Sequence, residues 1–328
     1  MKSLLIVLAL TVPVLTHADA GITRADDHAP IGVMADHYHG AGEVMFSYRR
    51  MEMTMDGNRD GTEELSEREV LADYRVAPRE MTTTMDMFGV MYAPTDQVTL
   101  MAMLPLIRKK MELVNRMGRE FTTRSEGSGD LKLTAIIHPN GFGPWHFHMG
   151  VNAPTGSILE SDETPMGRMR LPYPMQPGSG TWDLRAGATL LGRHHHWSWG
   201  GQLNALVRTG ENDLGYRLGN EVEGTAWAAW AATDWFSPSV RLSVRQWGDI
   251  AGEDGALNPG MAPTADAELH GGRRLDLGAG VNFRVPSGPL ARHRLALEYE
   301  APLHQDLNGP QMEAESMWTL GWQYDFSL

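Results

Sequence analysis

The chain has 328 residues and no cysteine. That excludes a disulfide framework and a thiolate metal centre. Positive charge is also scarce: 28 Lys and Arg stand against 41 Asp and Glu, a formal net charge of −13. Such a surface repels phosphate backbones, so nucleic acid is not an expected partner. Beyond the N-terminus, no stretch approaches the roughly 18 consecutive apolar residues of a membrane-crossing helix. The N-terminus itself carries Lys2, the apolar run Leu4–Leu15 and the small-x-small site Ala18-Asp19-Ala20 before Gly21. This pattern reads as a cleaved secretory signal peptide over residues 1–20, which predicts export from the cytoplasm.

What the chain has in excess is methionine. Of its 21 methionines, thirteen lie between Met34 and Met117. Side chains alternate across a strand, so spacing assigns them to faces. Over Glu43–Met55, Met45, Met51, Met53 and Met55 share one face, and Val44, Phe46 and Tyr48 share the other. Met81–Ala93 repeats the division, with Met81, Met85, Met87 and Met91 against Phe88, Val90 and Tyr92. Gln97–Ile107 places Met101 and Met103 opposite Val98, Leu100, Ala102 and Leu104. Three successive strands thus have one aliphatic and aromatic face and one thioether face.

The remainder reads as segments of alternating polarity separated by turn chemistry. Trp182, Leu184, Ala186, Ala188 and Leu190 oppose Asp183, Arg185 and Thr189, and Leu275, Leu277, Ala279, Val281 and Phe283 oppose Arg274, Asp276, Asn282 and Arg284. Connections alternate in length. Short turns near Ala93–Gln97, Pro139–Pro144, Gly192–His195, Trp235–Pro238 and Pro286–Leu290 are interleaved with longer stretches: Asp56–Glu80, Arg108–Gly129, Thr155–Ser179, Gly210–Glu221, Asp249–Gly271 and His304–Glu315. Five turns and six loops predict an all-β fold, a twelve-stranded antiparallel transmembrane β-barrel over residues 43–328, with short periplasmic turns, long extracellular loops and a periplasmic tail over 21–42. The predicted strand Glu223–Asp234 fits worst, because Trp227 and Trp230 break its parity. The final strand, with Trp318, Leu320, Trp322, Tyr324, Phe326 and Leu328 on one face, resembles the assembly signal of outer-membrane proteins. Outer-membrane lipid and the barrel-assembly machinery are therefore expected partners.

Two stretches carry a family resemblance. Asn152-Ala153-Pro154-Thr155-Gly156-Ser157, with the later Gly178-Ser179-Gly180-Thr181-Trp182-Asp183-Leu184, resembles a region of the outer-membrane proteins named for the MetA pathway of phenol degradation. Pro30-Ile31-Gly32-Val33-Met34-Ala35-Asp36-His37-Tyr38-His39 is similar to the start of a methionine-rich branch of that group called transporters. The resemblance implies an outer-membrane barrel and traffic in small, often aromatic, molecules, and it assigns no functional residues.

If the Val/Phe/Tyr/Leu face meets lipid, the ten methionines line the lumen, opposite a charged wall of Asp183, Arg185, Arg241, Arg245, Arg274, Asp276, Arg284, Arg294 and Glu298, with Glu300. Thioethers are soft ligands that suit Cu(I) and Ag(I), and imidazoles accommodate Cu(II), Zn or Ni. Lumen methionines with His146 and His148 from one strand, and His37 and His39 in the tail, point to passage of soft metal ions delivered to or from periplasmic carriers. The alternatives are an adaptable apolar path for small aromatic solutes and a non-transporting structural barrel with a packed lumen. No cofactor is obligatory. Asp56, Asn58, Asp60 and Glu67 match the spacing of a twelve-position calcium loop, but Glu63 holds the usually apolar position and a strand leads in, so the readings are a calcium-ordered first loop or, ahead of it, an ordinary acidic turn. Ser157 and Ser179 lack a nucleophile motif, and Gly272–Gly280 lacks the strand–turn–helix of a phosphate loop, so catalysis is not expected.

Overall fold

The computed structural model describes residues 24–328. The expected signal peptide lies outside these residues. Eleven strand elements form a ring: β1 (Glu43–Gly61), β2 (Val76–Thr95), β3 (Val98–Asn115), β4 (Leu131–Ile137), β5 (Trp145–Ala153), β6 (Trp182–His194), β7 (Trp197–Thr209), β8 (Glu221–Trp230), β9 (Phe236–Trp247), β10 (Gly272–Arg284) and β11 (His293–Ser327). Each pairs antiparallel with the next, and β11 returns to β1, so the sheet closes on itself and leaves no edge in the ring. Two further strands lie beside the ring: Glu63–Leu65 against β1 and Glu120–Ser128 against the far half of β3.

The last element differs from expectation. The stretch His304–Glu315 is strand, not loop, and β11 runs unbroken for 35 residues. Its first part, Arg294–Leu307, pairs with β10, and its second part, Leu307–Ser327, pairs with β1. The two parts also touch each other, with the Tyr299 and Trp318 rings 4.7 Å apart and Trp322 Nε1 donating to His293 Nδ1 at 3.0 Å.

The first two expected loops are likewise mostly strand. β1 extends to Gly61, β3 to Asn115, and the connection after β1 includes α1 (Glu67–Asp73), whose N-terminus is closed by a Ser66–Glu69 capping box. The cause lies on the outer surface. There, Asp86 accepts from Tyr48 Oη at 2.6 Å and pairs with Arg108 at 2.5 Å and Arg50 at 3.4 Å. Past this cluster the outward face turns polar, with Glu52, Thr84 and Arg108 and then Asp56, Glu80 and Glu112 in register, so the apolar-outward alternation of the segments below it disappears.

Below that cluster the outer surface is apolar. Phe46, Phe88, Leu100, Leu104, Leu133, Leu184, Leu203, Val240, Leu242, Leu277, Leu297 and Leu320 are all exposed. Toward the short-turn end come exposed Trp145, Trp197, Trp230 and Trp235, and toward the other end Trp182 and Trp318. The strand with two tryptophans is β8, and it keeps strict parity. Trp230 faces out at 45% exposure, and Trp227 faces in at 6%. The inward ring packs on Ala29 and Val33 from the N-terminal segment.

That segment is the chief surprise of the fold. Residues 24–42 lie inside the ring at its short-turn end, with Ala25, Asp26, His28, Ala29, Ile31, Val33, Ala35, Asp36, His37 and His39 all buried. The segment expected to be a periplasmic tail carrying His37 and His39 is a plug within the ring: the sheet's inward face supplies polar groups that bond its backbone.

Candidate functional site

Six strands tie the plug in place. At its start, Arg24 Nη1 donates to His195 O (2.9 Å) and Ala25 N to Asp234 O (3.0 Å), both in short turns. Deeper in, Arg294 on β11 donates to Ala29 O at 2.7 Å, and Gly32 N donates to Glu298 Oε2 at 2.9 Å. Asn282 on β10 reaches His28 O at 3.5 Å. Gln202 on β7 donates to Met34 O (2.9 Å), and His146 Nε2 on β5 to Ala35 O (3.0 Å). Arg49 on β1 contacts Met34 Sδ at 2.7 Å, and His39 N donates to Thr99 Oγ1 on β3 at 2.9 Å. Gly32 has no room for a side chain, since a Cβ would meet Arg241 Nη2 at 2.4 Å and Glu298 Oε1 at 2.9 Å.

The methionines face inward, as expected, and the register aligns them. Met45, Met91 and Met101 form one rung across β1, β2 and β3, and Met55, Met81 and Met111 form another. Met51 pairs with Met85 between them, while Met53 faces Thr83. The lower rung, with Met87 and Met103, packs against Met34, Ala35 and Tyr38 of the plug. The upper rung packs against Leu171, Met175 and Ala262 from two long loops. Lys109 holds one of these loops inside by donating to Pro174 O at 2.6 Å and Gln176 O at 2.8 Å. Protein thus covers the thioether wall at both ends, and Met51, Met53 and Met85 between them stay partly exposed. The sulfur atoms act here as an adaptable socket that fits irregular chain.

The charged wall is also inward. Asp183, Arg241, Asp276, Arg294, Glu298 and Glu300 are buried, and Arg185, Arg245, Arg274 and Arg284 are partly so. Most of it is neutralised within itself. Arg241 Nε donates to Glu298 at 2.6 Å and also pairs with Glu300; Arg274 pairs with Asp276 at 2.8 Å, Arg245 with Glu221 at 2.8 Å, and Arg208 with Asp183. Paired charges of this kind keep a lumen polar without a strong net field.

Histidine is concentrated at the plug. His146 and His148 point inward as expected, one to Ala35 O and the other to Asn204 Oδ1 at 2.8 Å. His37 and His39 are buried together, ring centroids 5.0 Å apart. Sequence reasoning missed His28, which belongs to no periodic segment, yet its Nδ1 lies 3.3 Å from His37 Nδ1. Asp36 completes the group: Oδ1 is 2.8 Å from His37 Nδ1, and Oδ2 is 3.8 Å from His28 Nδ1 and accepts from Ala29 N at 2.9 Å. Burial pushes His28 well below the ordinary imidazole range, with the His37 ring and Arg294 adding to it. Burial also lowers His37, against the pull of Asp36. Burial would raise Asp36, but His37 and His28 hold its carboxyl well below the usual carboxylate range.

The expected calcium loop has a different backbone. Residues 56–61 are extended strand, which spreads the ligands a loop would converge. Asp56, Asn58 and Glu67 line one cleft of about 330 Å³, but Asn58 Nδ2 donates to Pro78 O (2.7 Å) and Glu67 pairs with Arg79 (2.6 Å). Asp60 points elsewhere and accepts from Gly309 N at 3.3 Å. The family-like stretches around Gly156 and Gly178 form a clasp. A Cβ on Gly178 would strike Gly156 O at 2.2 Å, and Asp130 accepts from Gly156 N (3.0 Å), Ser179 N (2.9 Å) and Ser179 Oγ (2.7 Å). This fastens the loop over residues 155–179 to the wall.

No protein-family model and no curated protein sequence matches the chain, so the resemblance to the MetA-pathway group rests on the quoted residues alone. Solved structures do match. The COG4313 outer membrane channel from Pseudomonas putida F1 superposes with a TM-score of 0.63 at 15% identity, covering 89% of this chain and 98% of that one. The likeness is one of fold, a closed antiparallel β-barrel. Lower likeness is found to a Pseudomonas aeruginosa FadL homologue (TM-score 0.42, 11% identity, 87% and 90% covered). The TodX monoaromatic hydrocarbon channel, as a deletion mutant, is at a similar level (0.45, 9%, 88% and 91%).

Proposed function

We propose that this protein is an outer-membrane channel for small organic solutes, closed at its periplasmic end by its own N-terminal segment. The observation that carries the reading is the plug itself, held mainly by side chains of the wall around it. Nineteen residues (24–42) that are hydrogen-bonded to six strands, yet precede the first strand, form a removable stopper. The outer surface supports a membrane setting. From exposed Val222 to exposed Trp230, eight steps of about 3.4 Å tilted by roughly 40° rise about 21 Å, close to the apolar band of such barrels. We count the two parts of β11 as separate spans, which gives twelve, an even number with both termini at the plugged end. The signal peptide would deliver the chain to the assembly machinery of the outer membrane.

With the plug displaced, the solute path would have a thioether wall facing a wall of paired charges. Such a lining accepts molecules with an apolar body and a polar group, and does not hold them tightly. Planar-bilayer conductance of the purified barrel, with and without residues 24–40, tests this. The shortened form should conduct more; equal conductance would remove the plug from the account, and none in either would leave a structural barrel. A second reading is favoured by the two in-register methionine rungs, which bring three thioethers of adjacent strands side by side in a pattern that suits Cu(I) or Ag(I). Titration with Cu(I) against a competing chelator separates the two, because a variant with Met45, Met51, Met53, Met55, Met81, Met85, Met87, Met91, Met101 and Met103 changed to leucine would lose binding only on the metal reading. In that case periplasmic metal carriers would be the partners at the plugged end.

A further inference from the structure

We propose that His28, Asp36 and His37 form a binding site for a first-row divalent cation, Zn²⁺ being the natural probe, that locks the plug into a closed loop. This site is separate from the methionine wall and uses hard and borderline ligands that a Cu(I) path does not need. It is independent of what the lumen passes.

The geometry is already close to that of a bound ion. Zn–N bonds of about 2.0–2.1 Å at tetrahedral angles place ligand atoms about 3.3–3.4 Å apart. The two Nδ1 atoms stand 3.3 Å apart. The Asp36 oxygens lie on either side of that spacing, at 2.8 Å from His37 and 3.8 Å from His28. Small shifts of one carboxylate therefore bring all three ligands onto one centre, with a fourth position left for water. All three residues are buried, so the ion would be shielded from bulk water.

A second observation comes from the hydrogen bonds. Each of the three facing groups is either a donor or an acceptor, and Asp36 is only an acceptor. With His37 Nδ1–H donating to Asp36 Oδ1 at 2.8 Å, His28 Nδ1 turns a lone pair to the same N–H at 3.3 Å, and Asp36 Oδ2 stands 3.8 Å from it, so lone pairs of the group already converge. His37 Nε2, on the far side of the ring, is buried and has no partner. A cation would take lone pairs from all three atoms, with the His37 proton moved from Nδ1 to Nε2.

The ligands come from the two ends of one loop. His28 stands before Ala29–Ala35, and Asp36-His37 follow it. That loop includes Ile31, Gly32 and Met34, the residues seated deepest among Glu298, Arg241, Arg49 and Gln202. A bridging ion closes the loop covalently in effect, reduces the freedom of the released segment, and so favours the seated form.

The test uses the full-length folded barrel, freed of metal and titrated with Zn²⁺ against a chromophoric chelator. His194, His195 and His196 form an exposed cluster that could bind Zn²⁺ on its own, so all forms carry these three changed to alanine. One equivalent should bind, and His28→Gln with His37→Gln should weaken it by at least about tenfold. If that variant fails to fold, Co²⁺ bound to the parent reports directly, because two imidazoles and a carboxylate give intense tetrahedral visible bands. No Zn²⁺ binding by the parent, equal binding by the variant, or octahedral Co²⁺ bands would overturn the site. Conductance does not enter, so the site can fail while the channel reading stands, and the reverse.

Discussion

Substituting Gly32 by valine should unseat the plug without touching the barrel. The glycine lies against the buried Arg241–Glu298 pair, and the first carbon of any side chain would come within 2.4 Å of Arg241 Nη2. Relief requires either breaking that pair or lifting the segment. Lifting is the cheaper route, since it forfeits mainly the 2.9 Å bond from Gly32 N to Glu298. A hydrogen bond to a charged group contributes about 1.5–3 kcal/mol, and overfilling a close-packed site costs about 1–3 kcal/mol. The two share one displacement, so we take about 3 kcal/mol for the net effect, a shift of roughly a hundredfold toward the unseated form. Protease cleavage within residues 24–42, timed on the detergent-folded protein, reads the population directly, and bilayer recordings read its consequence for conductance. Gly224→Ala on β8 is the control, because a Cβ there meets nothing within 4 Å. If valine at position 32 left cleavage and conductance at the parent level while gel mobility showed an intact barrel, the stopper account would be wrong.

Three further outcomes are expected. Trp227→Ala should leave a void under Ala29 and Val33 and cost about 3–5 kcal/mol, distributed between the plug and β8, with hydrogen exchange rising in residues 24–34 before the barrel melts. Changing Met45, Met91 and Met101 together to leucine conserves volume, so each should cost less than about 1.5 kcal/mol and melting should shift little; a collapse of stability would mean that the thioethers do more than fill space. His270, in the loop after β9, has its pKa lowered by burial from the ordinary 6.5 to about 4. A depressed histidine contributes stability that is present above the unfolded pKa and lost as pH falls toward the folded one, about 2 kcal/mol by pH 5. Protection factors in residues 249–271, with each rate normalised to the intrinsic exchange at the same pH, should therefore fall between pH 7 and pH 5, and His270→Gln should flatten that dependence.

The sequence made the barrel readable because strands in contact with an apolar outside must alternate. Phe46, Phe88, Leu184 and Leu277 all face outward as their spacing requires, and the ten methionines all turn inward. Legibility stopped where that constraint stops. Beyond the Asp86 ion cluster, the outward face of β1, β2 and β3 turns polar, so Asp56–Gly61 looked like a loop and its acidic spacing like a calcium site. Met111 was missed for the same reason, though it continues the parity of Met101 and Met103. Trp227 looked irregular because its partners, Ala29 and Val33, lie nearly 200 residues away. The plug could not be seen at all. Its residues have no period, since each is matched to a different strand.

The short tether between plug and wall has a kinetic meaning. Only Gly40, Ala41 and Gly42 separate buried His39 from the start of β1. A released segment of nineteen residues would have a root-mean-square reach of about 24 Å, so it would remain at the mouth of its own socket at an effective concentration in the millimolar range. Any solute that competes for the same thioether surface meets an opponent that dilution cannot weaken. If the barrel is the channel proposed above, occupancy of the lower lumen would be set by a race inside one molecule, and a weak-binding solute would pass only when its own concentration approached that of the tethered chain.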